Sequence, residues 1–173
     1  MTRALLAWGT VLILFGSFNC RADDFVFEVQ SPKFKVTLPN VPPMKMEAHP
    51  LQASQPHLRF LGSKGPYTVS VITPAAAAGM TARECAVSTL RTLGARPGVP
   101  PPAQMHKTRV NDNTFVAMYA APLGGVVRLN AHVLSAAGGT HCIEVHASML
   151  STSEDDMAPW FEGFATANIE PDK

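Results

Sequence analysis

Hydrophobic residues recur at every second position through most of the chain. Phe25, Phe27 and Val29 keep this period, as do Phe34, Val36 and Leu38 against Lys33, Lys35 and Thr37. A period of two predicts strands with one buried face. Leu58–Leu61 and Tyr67–Thr73 form the next pair, joined around Gly62 to Pro66. Strands are also expected at Met105–Val110 and Thr114–Ala120, hinged on Asn111-Asp112-Asn113. A long hairpin follows, running out along Val126–Ser135, turning at Gly138-Gly139 and returning along Thr140–Leu150.

Two stretches change to a helical period. Thr81-Ala82-Arg83-Glu84 is a capping box, in which Thr81 and Glu84 satisfy each other's backbone N–H. Ala82, Ala86, Thr89, Leu90 and Leu93 then share a stripe, and Gly94 is expected to stop the helix in the left-handed conformation. A second helix should begin within Ser153–Asp156, with Asp155 or Asp156 as cap and Pro159 in the first turn. Its buried stripe is Met157, Trp160, Phe161 and Phe164. Prolines keep Pro39–Pro56 irregular and stiffen residues 95 to 104. Many antiparallel strands with two separated helices make the fold class α+β.

The start of the chain reads differently. Arg3 precedes an apolar run from Ala4 to Phe15, too short for the roughly 20 residues of a membrane span and suited to a secretory signal. Cleavage after Ala22 would place small side chains, Cys20 and Ala22, where they are required. Residues 1–22 are thus a signal peptide and 23–173 a single α+β domain. Lipidation at Cys20 is the alternative, although Phe18-Asn19 precede it where a small residue is expected. Loss of Arg3 and Arg21 takes the formal charge from +1 to −1. A near-neutral chain that is 46% hydrophobic excludes both a basic nucleic-acid binder and a disordered acidic tail. Export leaves Cys85 and Cys142 in an oxidising compartment, either as a disulfide or as two separate buried thiols.

The opening "FKVTLP" strand (Phe34 to Pro39), a capped helix after two strands, a meander and a closing amphipathic helix resemble the PsbP-like and DcrB-like proteins. The resemblance covers most of the mature chain. It implies an antiparallel β-sheet with helices packed on both faces, and small exported or accessory proteins rather than enzymes. It brings no functional residues.

Candidate chemistry gathers on the long hairpin. A two-residue loop at Gly138-Gly139 would set Val133 against Glu144 and Ala131 against His146, mixing apolar and polar residues on both faces. A three-residue loop, Gly138 to Thr140, pairs Val133 with Val145 and Leu129 with Met149. It also sets His132 opposite His146, with Cβ atoms about 5 Å apart. Glu144 and Cys142 share that face, so imidazole, carboxylate and thiolate could hold zinc or copper. Inert, hydrogen-bonded histidines are the competing reading, and a Cys85–Cys142 bridge would remove the thiolate. A second cluster, Met44, Met46 and His49, suits Cu(I) through its thioethers, although methionine is also an adaptable core filler. The chain contains no Gly-rich phosphate loop, HExxH or G-x-S-x-G. The expectation is a periplasmic or secreted, non-enzymatic protein with no cofactor. It would bind an envelope or secreted partner, as an accessory to an envelope or secretion apparatus or by neutralising a toxin. Copper or zinc handling is the alternative.

Overall fold

The two opening strands form a tight hairpin because their apolar residues fall on one side. In the computed structural model, which describes residues 24–171, β1 (Phe25–Gln30) pairs with β2 (Lys33–Leu38), setting Phe25 opposite Leu38 and Val29 opposite Phe34. A last strand, β10 (Asn168–Pro171), joins the other edge of β2 with Ile169 opposite Val36. These three make a sheet of order β1-β2-β10.

A larger antiparallel sheet holds the rest. Its strands are β3 (Glu47–Ala48), β4 (Leu58–Lys64), β5 (Tyr67–Ile72), β6 (His106–Arg109), β7 (Phe115–Leu123), β8 (Val126–Ala137) and β9 (His141–Ser151). Their order is β3-β4-β5-β9-β8-β7-β6. The alternation of each strand gives this sheet two faces of different chemistry. One presents Val69, Val71, Met118, Leu129, Val133 and Val145, all buried, to the small sheet. Trp160 and Phe164 of α2 (Met157–Phe164) join that cluster. Burying each such large apolar side chain stabilises the fold by about 1.5–3 kcal/mol. The other face carries α1 (Ala82–Gly94), which packs across β7, β8 and β9. Helices therefore cover both faces of the large sheet, as the family resemblance implies, and the fold class is α+β. The strands divide between two sheets rather than forming one.

The capping box at α1 is present in full: Thr81 accepts from the Glu84 backbone, and Glu84 accepts from the Thr81 backbone. Gly94 differs from its expected role. It is the last residue of α1 and has no left-handed backbone; Ala95 follows in helical geometry, and a positive φ appears only at Gly98. Gly94 is required by contact instead, because a Cβ there would lie 2.6 Å from Cδ of the Pro102 ring. Asp156 does precede α2, but its carboxylate receives the Ser151 hydroxyl and makes no capping bond. Strand β7 runs on to Leu123 and turns into β8 through Gly124 and Gly125, both at positive φ. Its Pro122 lies beyond the stretch that β6 pairs, where an N–H is not needed.

A disulfide joins Cys85 of α1 to Cys142 of β9, with Cα atoms 5.3 Å apart. The signal-peptide and Cys20 readings fall outside the described residues. Among the described residues, no helix is long and apolar enough to cross a membrane.

Two stability predictions follow from this packing. By helix propensity alone, Gly94→Ala should gain up to about 1 kcal/mol; contact with the Pro102 ring should instead make it lose about 1–3 kcal/mol in urea unfolding. A stabilised variant would contradict that assignment. Replacing both Cys85 and Cys142 by Ala should cost about 4 kcal/mol, because the bridge closes a long loop. A loss below about 1 kcal/mol would show that it adds little to what packing already holds.

Candidate functional site

The three-residue loop sets the site. Ala137 pairs with His141 across Gly138, Gly139 and Thr140, and both glycines take positive φ. Counting back, Val133 meets Val145, Leu129 meets Met149 and His132 meets His146. The expected register is the observed one. Polar side chains at even positions of β8 and β9 therefore lie on the α1 face, where the helix buries several of them.

They form a stacked layer. The Tyr119, His132 and His146 rings lie nearly parallel, with centroids 5.7 Å and then 4.4 Å apart. His132 is 2% exposed and Glu144 6% exposed. A 2.8 Å hydrogen bond links His132 Nδ1 to Glu144 Oε1. His146 Nε2 lies 3.1 Å from Asn130 Oδ1. The Asn130 amide nitrogen is committed to the Arg128 carbonyl, so His146 donates in that bond. Burial, then the charges of His132, Arg128 and Arg96, hold His146 well below the usual histidine pKa. Burial also raises the Tyr119 hydroxyl, with Arg96 opposing the rise and Glu144 adding to it. The Nε2 atom of His132 is buried without a hydrogen-bond partner among the described residues.

The structure thus brings His132, His146 and Glu144 together, but not as a chelate. Imidazole lone pairs lie in the ring plane, so two rings stacked at 9° direct them in parallel rather than at one ion. One nitrogen of each ring is already hydrogen bonded, and Cys142 is bridged to Cys85. Among the described residues, no group of three or more His, Cys, Asp or Glu side chains is placed to hold a metal. The methionine cluster is used for packing: Met44 and Met46 lie half-buried against the core. Their sulfurs sit 3.1 and 2.6 Å from where a Cβ on Gly62 would be. His49 instead closes a local turn, its Nδ1 accepting from the Leu51 backbone at 3.1 Å.

Two features escaped the sequence. A cleft of about 510 Å³ opens between α1, the Pro74–Ala77 segment and the start of β4, with Glu144, His57, Thr89, Thr92 and Arg96 among its walls. Its parts come from four separate stretches of chain, and no local pattern marks them. The second feature is the far end of the sheet face that bears α1. There Leu150 lies opposite Arg128 on β8, Ala121 lies on the other side of Arg128, and Leu123 pairs with Val126. Leu123 and Leu150 are 47% and 43% exposed, and Arg128 is exposed.

No family model matches the chain, and no curated protein matches it. Among solved structures, it is similar to the solution structure of cyanobacterial PsbP (CyanoP) from Synechocystis sp. PCC 6803. The two are 13% identical over 91% of this chain and 98% of that one, with a TM-score of 0.47.

The depressed pKa of His146 fixes a sign for pH dependence. The unfolded chain takes up a proton near pH 6.5, whereas folded His146 resists it. Its contribution is therefore present above about pH 6.5, is lost as pH falls below that value, and levels off beneath the folded pKa. The exposed carboxylates Glu47 and Glu84, held below their usual range by Lys45 and Thr81 respectively, lose their contributions at lower pH. Unfolding free energy should thus decline between about pH 7 and 5, with a shallower slope in His146→Asn. An unchanged slope in that variant would contradict the assignment to His146.

Proposed function

We propose that this is an exported protein that works by binding another protein through the open end of its large sheet. The observation that carries the reading is the sheet surface around Arg128. Among the described residues α1 lies across only part of that face, leaving Leu123 and Leu150 exposed on the strands flanking the Arg128 position. Apolar side chains around a guanidinium suit a partner that presents a carboxylate set among apolar groups: the leucines supply burial, and the planar cation gives orientation. The Cys85–Cys142 bridge supports export, since disulfides persist in oxidising compartments. The leader-like segment before Asp23 supports the same reading.

A photo-crosslinking residue placed at Leu150 and one placed at Val87, exposed on α1, separate this surface from the rest of the molecule. In the native host's envelope or secreted fraction, position 150 should yield one crosslinked species of defined mass. That species should disappear in Arg128→Glu, and position 87 should not give it. The recovered protein should begin at Asp23 by intact mass. Identical patterns at both positions, or a crosslink indifferent to Arg128→Glu, would overturn the reading.

A further inference from the structure

We infer that the cleft between α1 and β9 is a second binding site, distinct from the open sheet face, for a small zwitterion that carries an ammonium and a carboxylate. Glu144 lines this cleft although it is more than nine-tenths buried. One carboxylate oxygen is held by His132, and no second hydrogen bond reaches the group from the described residues. Its other oxygen has no partner among the described residues and is not fully sealed, on a residue that lines the cleft. A buried carboxylate of this kind seeks a donor, and an ammonium supplies a charge-assisted one.

The opposite charge stands on the same cleft. Arg96 follows α1, its backbone N–H bonded to the Leu93 carbonyl, and its side chain lies exposed along the wall. It makes no ion pair or side-chain hydrogen bond with the described residues, which leaves its guanidinium fork open to a carboxylate. An anion alone would face Glu144, and a cation alone would face Arg96. A ligand bearing both charges pairs each with its opposite and keeps the occupied site neutral. Thr89 and Thr92 also line the cleft, the Thr92 hydroxyl donating to the Ser88 carbonyl, and Ile72, Leu58 and Leu93 make its apolar wall. About 510 Å³ accommodates an amino acid or a dipeptide.

Dialanine tests the assignment, because each end can be blocked separately. Calorimetric titration of the disulfide-bonded protein should show one site for dialanine with both termini free. Acetylating the ammonium or amidating the carboxylate should each weaken binding by about 10- to 100-fold, the worth of a charged hydrogen bond. Arg96→Gln, an exposed change that leaves the core intact, should weaken the free dipeptide by a similar factor. It should add nothing to the loss already caused by amidation. Glu144→Gln should mirror this behaviour with acetylation. No binding of free dialanine, equal affinity for all three forms, or affinity indifferent to Arg96→Gln would overturn the inference. Crosslinking at position 150 is independent of all three outcomes, so the cleft can fail while the partner surface stands.

Discussion

Pairing of β8 with β9 in one particular register is the constraint on which the rest of the structure depends. A strand pair has only two sides, and a slip of one residue exchanges them. With three residues in the Gly138–Thr140 loop, Leu129, Ala131 and Val133 meet Met149, Ala147 and Val145 on the side that faces the small sheet. The same choice sends Asn130, His132, Glu144 and His146 to the side that faces α1. The apolar core and the polar layer are thus two consequences of one loop length.

The polar layer is not free of cost. Glu144 and His132 lose most of their water, and each offsets part of that loss by bonding the other. The disulfide anchors α1 at Cys142, two residues from Glu144 on the same face, and so keeps the helix over this end of the sheet. The helix covers Glu144 from one side, yet it leaves the carboxylate open to the cleft. Farther along the same strands the cover ends, and Arg128, Leu123 and Leu150 meet solvent. Burial thus grades along one sheet face from sealed imidazole to open surface. The cleft beside Glu144 and the surface around Arg128 are both open regions along it.

Much of this was legible from the chain. Alternation on both arms of the hairpin left one register that separates apolar from polar, so the His132–His146 pairing followed without a structure. Thr81 and Glu84 announced α1 because a capping box is a local device. What was not legible was non-local or assembled from weak signals. Strand β10 has one buried apolar residue, Ile169, and ends on Pro171, so its pairing with β2 had no sequence signature. Gly94 looked like a helix stop because its real constraint, the Pro102 ring, reaches it from a neighbouring segment. The cleft joins residues from before β4 to β9, which only the completed fold brings together. Ring stacking, which turns a possible chelate into parallel planes, depends on side-chain rotation that residue spacing does not encode.

The most direct test of the register is nuclear Overhauser contact within the hairpin. If Gly138, Gly139 and Thr140 all lie in the loop, the His132 and His146 ring protons should show a strong mutual contact, as expected for centroids 4.4 Å apart. A contact from the Ala131 methyl to the His146 ring, with none between the two imidazoles, would mean that the loop holds two residues. In that case the polar layer would not exist.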